Sequence, residues 1–323
     1  MKKSILVTGG AGYIGSIVVE QLVLEKYHVI VIDNLSEGNK QALSTGVEQY
    51  IANYGDTATL LKIFTNFNID TVIHLGALAN VPDSVINPID YYLNNVSNTI
   101  VLLNTMNSFN VKKIIFSSTA AIYGEPIQTL IEESHPYNPK NPYGHSKLMV
   151  EQIIKDMSIA YKFKYLIFRY FCAAGATKIH GESRRSETHL IPIIIDQVLG
   201  KRLFVPVFGN TYNTHDGTGV RDYIHVSDIA AAHIIGMKNI DEIYNLELNL
   251  GSGLGYSVMD VIKTAQEEFN FPITFKILNE RLGDPARLIA SNSKAQSLLH
   301  WKNKYNLKDI LKTSFEWRKN PLY

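Results

Sequence analysis

The chain has 323 residues, of which 46% are hydrophobic and 19% are charged, as is ordinary for a globular protein. Its 31 basic and 30 acidic residues give a net charge of +1, which argues against a general affinity for nucleic acid or an anionic membrane. A single cysteine excludes an intrachain disulfide, and no stretch has the ~20 apolar residues that span a bilayer. We therefore expect a soluble protein of the cytoplasm.

The first half of the chain alternates short apolar segments with helical patterns. The predicted strands are 4–9, 28–33, 71–76, 112–118 and 164–171. The predicted helices between them include 13–27, 57–67 and 88–109. Because these strands are apolar throughout, we expect both of their faces to be covered. The alternation predicts an α/β protein with a doubly wound parallel sheet, a Rossmann fold.

The second half is less regular and predicts a smaller α+β lobe. A helix is expected at 189–200, and the expected strands are 202–209, 221–226, 243–251 and 272–278. No Pro-rich or Ser-rich linker separates the halves. We place the boundary near residue 172, with a Rossmann domain at 1–172 and a second lobe at 173–323. Segments near 221–250 are expected to complete the sheet of the first domain.

The segment TGGAGYIGS (8–16) follows the first strand and opens the first helix. Gly9, Gly12 and Gly15 permit a tight turn and a close approach of the backbone to a pyrophosphate at the helix N-terminus. Asp33 ends the second strand, at the spacing expected for a carboxylate that binds the adenosine ribose. Because a carboxylate repels a 2′-phosphate, the pattern predicts NAD as cofactor rather than NADP.

A second glycine cluster, GSGLGYS (251–257), also lies between a strand and a helix. Ser257 and Asp260 there form the capping-box pattern S-x-x-D. No ribose-binding acid follows at the expected distance, so we interpret this cluster as a loop and a helix cap.

The segment NPYGHSKLMVEQ (141–152) predicts a helix that Asn141 caps and Pro142 begins. The seam of this helix that faces inward is predicted to comprise Tyr143, Lys147, Val150, Ile154, Met157 and Tyr161. A buried ammonium one turn from a phenol favours the phenolate, which gives a general base at neutral pH. The alternative is a core tyrosine beside a lysine whose ammonium reaches solvent.

Hydroxyl groups end the strand before this helix, in SSTAAIYG (117–124). One of Ser117, Ser118 or Thr119 could hydrogen-bond a substrate oxygen that Tyr143 deprotonates. The alternative is a polar strand end with turn chemistry. The sequence carries neither H-E-x-x-H nor C-x-x-C, so we expect no metal site.

Together these motifs resemble those of the extended short-chain dehydrogenase/reductase superfamily. Further segments resemble the UDP-glucose (UDP-galactose) 4-epimerase family within it, across nearly the whole chain. These segments are DNLSEGNK (33–40), YYLNNV (91–96), ETHLIP (187–192), DGTGVRDYIHVSD (216–228) and RLGDPA (281–286).

The resemblance implies an NAD-dependent epimerisation at C4 of a UDP-hexose through a transient 4-keto sugar. It implies that Tyr143 takes the proton of the 4-hydroxyl, that Thr119 hydrogen-bonds the 4-oxygen, and that Lys147 lowers the pKa of Tyr143 and holds the nicotinamide ribose. The main substrates expected are UDP-glucose and UDP-galactose, with measurable activity on the N-acetylated pair. A homodimer through helices 88–109 and 142–162 is also implied.

The resemblance assigns further residues to the two ligands. Besides the glycines and Lys147, the implied cofactor residues are Tyr13, Ile14, Asp33, Asn34, Asp56, Leu75, Asn94 and Phe171. Besides Thr119 and Tyr143, the implied substrate residues are Cys172, Leu190, Arg221, Tyr223, Arg281, Asp284 and Leu288.

Two features depart from the family pattern. Cys172 stands where the family usually has an asparagine that touches the substrate phosphates, which puts that contact in doubt. Arg184 and Arg185 occupy a loop that is usually acidic or neutral, and we interpret them as part of a solvated surface loop.

The sequence leaves two other functions open. The chain could be another nucleotide-sugar enzyme of the superfamily, a dehydrogenase or a decarboxylase. It could also be a non-catalytic nucleotide-sensing protein, although such proteins often lack the Tyr and Lys pair that this chain retains. A 4,6-dehydratase is disfavoured, since Ala120 and Ala121 follow Thr119 where those enzymes use acidic residues.

Overall fold

The computed structural model describes residues 2–43, 46–184, 187–281 and 284–323. Over these residues the chain divides into two compact units. The first unit comprises Met1–Ile122, Tyr137–Arg169 and Ala230–Leu248, and the second comprises Tyr123–Pro136, Tyr170–Ile229 and Asn249–Tyr323. One passage between the units, at Arg169 and Tyr170, lies close to the predicted boundary at residue 172. The assignment of one functional domain to 1–172 and another to 173–323 stays a prediction.

The helices and strands of both units are numbered in chain order. The strands are β1 (Lys3–Thr8), β2 (His28–Asp33), β3 (Glu48–Ile51), β4 (Asn68–His74), β5 (Lys113–Thr119), β6 (Lys164–Tyr170), β7 (Cys172–Ala174), β8 (Val205–Phe208), β9 (Val220–His225), β10 (Leu246–Leu250), β11 (Gly255–Ser257), β12 (Phe275–Leu278) and β13 (Arg287–Leu288). The helices are α1 (Tyr13–Leu24), α2 (Thr57–Asn66), α3 (Val81–Ile86), α4 (Pro88–Tyr91), α5 (Asn98–Ser108), α6 (Pro142–Tyr161), α7 (Leu190–Val198), α8 (Val226–Asn239), α9 (Val258–Phe269), α10 (Ser293–Leu299) and α11 (Leu307–Lys319).

The described residues form a sheet of seven strands in the order β10-β6-β5-β4-β1-β2-β3. The pairings of β1 with β2 and β4, of β2 with β3, and of β4 with β5 are parallel. The order reverses direction at β1, so the sheet is doubly wound and the predicted Rossmann fold is confirmed. The edge strand β3 was not predicted, because its residues EQYI are mostly exposed and carry no apolar pattern.

Strands β1, β2, β4, β5 and β6 are buried on both faces over most of their length, as their continuous apolar sequences predicted. Leu6 and Val7 point to opposite faces of β1, and both have no solvent exposure. On one face the core includes Leu6, Ile30 and Val72 from three neighbouring strands. Helix α1 ends at Leu24 rather than at residue 27, because Lys26 adopts the left-handed conformation with φ +63°.

The predicted helix 88–109 is divided into three parts. A π-helical turn at Tyr92–Ser97 separates α4 from α5. Such turns are rare and often occur at functional sites. This one carries Asn94 and Asn95, and the resemblance assigns Asn94 to the cofactor.

In the second unit, β9 pairs with three short strands. It is antiparallel to β11 and parallel to β7 and β13. Strands β8 and β12 form a separate parallel pair. Helices α7, α9 and α11 contribute Ile194, Ile262 and Leu311 to the core of this unit. Among the described residues, no helix is both long enough and apolar enough to cross a membrane.

Candidate active site

The turn between β1 and α1 requires glycine for two separate reasons. Gly9 adopts φ +69°, and a Cβ atom there would lie 2.6 Å from the backbone nitrogen of Gly76. A Cβ atom on Gly15 would lie 2.0 Å from the carbonyl oxygen of Gly9, closer than any real contact. The turn and the first helical turn therefore pack too tightly for any other residue, as the motif predicted.

The N-terminus of α1 suits a phosphate group. Within the described residues, no side chain caps this helix at Gly12, and its first turn, which includes Tyr13 and Ile14, contains no acidic residue. The positive end of the helix dipole and the first backbone amides are thus not countered by an acidic side chain in that turn. This is the chemistry that an anionic ligand requires.

Asp33 lies at the end of β2 beside the glycine turn. Its carboxylate accepts hydrogen bonds from the backbone nitrogens of Ala11, at 2.9 Å, and Leu35, at 2.8 Å. Burial raises the pKa of Asp33, and those two bonds oppose the increase. Since a carboxylate can accept about four hydrogen bonds, Asp33 retains capacity for ribose hydroxyls. The neighbouring Asn34 is exposed, and its Oδ1 accepts from the backbone nitrogen of Ser36.

The other proposed cofactor residues of the first unit cap a helix, follow a strand or lie in the π-helical turn. Asp56 caps α2, accepting from the backbone nitrogen of Thr59 at 2.7 Å. Leu75 follows β4, and its backbone nitrogen donates to the Thr8 carbonyl oxygen at 3.1 Å. Asn94 donates to Asn95 Oδ1 at 3.0 Å. Phe171, which the resemblance also assigns to the cofactor, belongs to the second unit and is 7% exposed.

Helix α6 begins as the sequence predicted. The Asn141 side chain caps it by accepting from the Gly144 backbone nitrogen at 2.8 Å, and Pro142 is its first residue. Lys147 is 3% exposed and Tyr143 is half-buried. The predicted inward seam is wrong at its last member, because Tyr161 is 49% exposed at the C-terminal end of the helix.

The Lys147 ammonium is held on strand β5. Its Nζ atom donates to the Ser117 carbonyl oxygen at 2.8 Å and lies 4.8 Å from the centre of the Phe116 ring. Burial lowers the pKa of Lys147 to about 7, and the Glu151 carboxylate opposes that decrease. Lys147 is therefore an inward-facing group rather than a lysine that reaches solvent.

The hydroxyl groups of β5 have different environments. Thr119 is 9% exposed, and its Oγ1 atom accepts from the Ala121 backbone nitrogen at 3.1 Å, so its hydroxyl proton remains available for a further bond. Ser118 is 1% exposed and donates to Glu151 Oε1 at 2.5 Å. This distinction favours Thr119 over Ser118 as the hydroxyl that meets a substrate.

In the second unit, Arg221 on β9 donates through Nη1 to the carbonyl oxygens of Val220, at 2.9 Å, and Pro285, at 2.8 Å. Its Nη2 atom lies 3.7 Å from Asp284 Oδ2. The Arg281 guanidinium lies 3.9 Å from the centre of the Phe208 ring. The unit thus presents two arginines, one of them beside Asp284, that could bind a pyrophosphate.

Short strands arrange the remaining proposed substrate residues around β9. Cys172 pairs with Tyr223 across β7 and β9, and Leu288 pairs with Arg221 across β13 and β9. Burial raises the pKa of the Cys172 thiol to about 11, so the thiol is neutral near pH 7. Leu190 begins α7 and packs against the core of the second unit.

The interpretation of Arg184 as part of a solvated surface loop stays a prediction, and the partly buried Arg184 side chain is ion-paired. Its Nε atom lies 2.7 Å from Oε1 of Glu182, a residue that is only 6% exposed. Glu182 also accepts from His189 Nδ1 at 2.7 Å, and His189 lowers the pKa of the Glu182 carboxyl against the effect of burial. Arg185 lies outside the described residues.

A second cluster consists of Glu182, Glu187 and His189, whose possible metal-ligand atoms all lie within 4.8 Å of one another. These distances would allow the cluster to hold a metal ion. Arg184 contacts Glu182, and Arg318 Nη1 lies 3.5 Å from Glu187 Oε2. Because two guanidinium groups already neutralise these carboxylates, the cluster is accounted for by ion pairs.

Sequence reasoning missed Glu151, Arg169 and Asn95. Glu151 continues the four-residue spacing of Tyr143 and Lys147, and Arg169 is a lone charge within the apolar strand KYLIFRYF, so both carried a signal. Asn95 is 2% exposed and joins the Leu78 backbone to the Ser146 hydroxyl of α6. No local pattern distinguished it from its neighbour Asn94.

Comparisons with known proteins define the class. The family model described as NAD dependent epimerase/dehydratase matches residues 5–251, and the chain therefore belongs to that family of enzymes. The UDP-glucose 4-epimerase of Halalkalibacterium halodurans is 46% identical over 320 residues, which cover 98% of this chain and 96% of the relative.

Solved structures match the fold over almost the whole chain. The UDP-glucose 4-epimerase of Bifidobacterium longum, in complex with NAD+ and UDP, has a TM-score of 0.93, 39% sequence identity and coverage of 98% of this chain and 99% of that chain. The UDP-Glc/GlcNAc 4-epimerase of Campylobacter jejuni has a TM-score of 0.86, 38% identity and coverage of 98% and 99%.

Proposed function

We propose that this enzyme interconverts UDP-glucose and UDP-galactose by NAD-dependent epimerisation at C4 of the hexose. The observation that carries the proposal is the buried Lys147 ammonium, fixed to the Ser117 carbonyl oxygen one helical turn from Tyr143. The full-length similarity to UDP-glucose 4-epimerases supports the choice of this reaction within the family.

The residues of the first unit fit NAD. The glycine turn and the N-terminus of α1 would hold its pyrophosphate, Asp33 its adenosine ribose and Lys147 its nicotinamide ribose. When bound, NAD would supply reversible hydride transfer at sugar C4, with removal from one face and return to the other. The reaction is therefore redox-neutral overall.

Side chains of the protein carry out the proton transfers. The Tyr143 phenolate removes the proton of the sugar 4-hydroxyl and gives it back after the configuration has changed. Lys147 favours the phenolate by its positive charge, and the Thr119 hydroxyl donates a hydrogen bond to the 4-oxygen. Arg221 and Arg281 bind the pyrophosphate of the UDP-sugar, with Tyr223, Asp284 and Leu190 nearby.

The direct test is to incubate the purified protein with UDP-galactose and no added nucleotide, and to follow UDP-glucose by NMR. Conversion with retained cofactor is expected. Release of NADH in proportion to an oxidised sugar would instead identify a dehydrogenase, and no reaction with any UDP-sugar would favour a nucleotide-sensing protein.

The choice of NAD over NADP rests on Asp33. Mass spectrometry of the nucleotide released on denaturation should find NAD alone. NADP in that extract would contradict the assignment of Asp33 to the ribose.

We further propose that the protein is cytoplasmic, because a lone cysteine suits a reducing compartment.

We also propose a homodimer, formed through the faces of α4, the π-helical turn, α5 and α6. Ile89 is 65% exposed and Ile159 is 75% exposed, and Leu93, Ile100 and Met149 on the same elements are also exposed. Such apolar exposure is typical of a surface that a partner covers. Ile159→Lys should shift the sedimentation coefficient from that of a dimer to that of a monomer, whereas Leu203→Lys, at an exposed site in the second unit, should not.

A further inference from the structure

Glu151 continues the face of α6 that carries the proposed catalytic residues. Tyr143, Lys147 and Glu151 are each separated by four residues, so they follow one another along the same side of the helix. Glu151 has no solvent exposure. A carboxylate in that position requires partners for its charge and its oxygens.

Those partners come from two strands of the sheet. Glu151 Oε1 accepts from Ser118 Oγ at 2.5 Å and from Arg169 Nε at 3.0 Å, and Oε2 accepts from Arg169 Nη2 at 2.6 Å. Arg169 on β6 is itself fully buried, and its Nη2 atom donates to the Tyr137 hydroxyl at 2.8 Å. One carboxylate thus ties α6 to β5 and β6.

Ser118 connects the hydrogen bonds of Glu151 and Arg169 to the proposed active site. It lies between Ser117, whose carbonyl oxygen holds Lys147, and Thr119, the proposed hydroxyl donor to the sugar. A shift of Ser118 would therefore move both neighbours. Buried ion pairs contribute little to stability compared with apolar residues of similar volume, so stability alone does not account for this one.

We propose that Glu151 is a positioning residue for the epimerisation proposed above: its carboxylate fixes β5 against α6 through Ser118 and keeps the Lys147 ammonium charged. The assignment rests on the proposed function for its effect on turnover. Its effect on Lys147 is a property of the protein alone and can be measured without substrate.

The charged and titratable groups around Lys147 support this assignment. Glu151 on α6 is the group that opposes the lowering of the Lys147 pKa by burial. His74 on β4 is also close, but burial lowers its pKa to about 3 and it is neutral near pH 7. Tyr143 precedes Lys147 on the same helix.

Around Glu151, the facing charge is Arg169 on β6. Farther along the same region, Lys155 on α6 pairs with Glu247 on β10 at 3.0 Å, and the Tyr165 hydroxyl donates to Glu247 at 3.1 Å. This second pair links α6 to β10 and β6 rather than to β5. Glu247→Gln is therefore a matched control that removes one carboxylate from an ion pair of α6.

The experiment titrates Lys147 in the holoenzyme by NMR of ¹³C-labelled lysine, with its signal assigned by its loss in Lys147→Arg. Glu151→Gln keeps the size of the side chain but removes its charge, and it should lower the titration midpoint of Lys147 by about one pH unit. Glu151→Asp retains the charge and should lower it less than Glu151→Gln. Glu247→Gln should leave it at the wild-type value.

The pH dependence of kcat provides the second measurement. Because Lys147 must be charged to favour the Tyr143 phenolate, Glu151→Gln should move the alkaline limb of the profile to lower pH and reduce kcat at pH 7 about fivefold. A reduced kcat with an unmoved alkaline limb, and a Lys147 midpoint equal to that of the wild type, would overturn the electrostatic role.

Ser118→Ala removes the hydrogen bond from β5 to Glu151 and keeps the ion pair of Glu151 with Arg169. It therefore tests the positioning role, and it does so even if Glu151→Gln does not fold. It should lower kcat about fivefold or more while leaving the Lys147 midpoint unchanged. Wild-type turnover in Ser118→Ala would overturn the role of the link to β5. If the wild-type protein epimerises no UDP-hexose, the proposed function fails, while the lysine titration still decides whether Glu151 controls Lys147.

Discussion

The proposed proton-transfer region, formed by β5 and the start of α6, differs from the proposed UDP region, formed by β9, β13, Arg281 and Asp284. In the proton-transfer region, Lys147 and Ser118 are almost fully buried and bonded to regular elements. In the UDP region, Arg221 is held by backbone carbonyls, and the Asp284 side chain is 42% exposed. Proton transfer requires that the reacting groups are held in a fixed geometry, whereas binding of a charged nucleotide depends mainly on complementary charge. Substitutions in the two regions should therefore have different effects.

Tyr143→Phe should give the largest effect and separate the two regions most clearly. Loss of the general base should lower kcat about 10³-fold, while retention of NAD and the affinity for UDP remain close to wild type. Turnover of UDP-galactose and the nucleotide content of the purified protein check both parts. A variant that keeps near-normal kcat would remove Tyr143 from the mechanism.

Arg221→Ala should produce the opposite pattern. Losing a charge-assisted contact to a phosphate should raise KM for UDP-galactose about 10-fold to 100-fold and change kcat much less. Arg202→Ala, at an exposed arginine of the same unit, is the control and should leave KM unchanged. A fall in kcat without a change in KM would mean that Arg221 does not serve binding.

Protonation of His74 should limit the acid stability of the first unit. The buried ring bonds Thr8 Oγ1 at 2.6 Å and Thr99 Oγ1 at 2.8 Å, and its pKa is lowered to about 3 from 6.5. Below pH 6.5 the unfolded chain therefore binds a proton that the folded protein does not, and stability falls as the pH decreases towards 3.

At pH 5 this linkage costs about 2 kcal/mol relative to pH 7. Urea unfolding at the two pH values should show a smaller difference in the free energy of unfolding for His74→Gln than for the wild type. His145→Gln, at an exposed histidine, should retain the wild-type difference. If the free energy of unfolding changed equally between the two pH values in all three proteins, His74 would be excluded as the source of the pH dependence.

Leu288→Tyr should give the smallest effect, confined to the choice of sugar. Leu288 pairs with Arg221 across β13 and β9, which places it in the UDP region. Leucine is smaller than tyrosine, so UDP-N-acetylglucosamine should be accepted at a measurable rate, and a bulkier residue should suppress it by about 1–3 kcal/mol. The ratio of kcat/KM for the two UDP-sugars measures this. Equal loss of both activities, or no change in either, would contradict a role in selectivity.

Features that depend only on neighbouring residues could be predicted from the sequence alone. The glycine turn after β1, Asp33 at the end of β2, the Asn141 cap and the capping box of Ser257 and Asp260 all follow from local backbone chemistry. The one-turn spacing of Tyr143 and Lys147 is likewise a property of any α-helix. The parallel sheet followed from continuous apolar strands, since both of their faces must be covered.

Contacts between residues far apart in the chain could not be predicted in this way, because they form only in the folded protein. The bond from Lys147 to Ser117, the pairing of Glu151 with Arg169, and the register of Cys172 with Tyr223 each join separate elements. The prediction for Tyr161 was wrong for the same reason, because its exposure depends on what packs beside it. A helical period shows which residues share a face, but burial of that face depends on the elements that the whole fold brings against it.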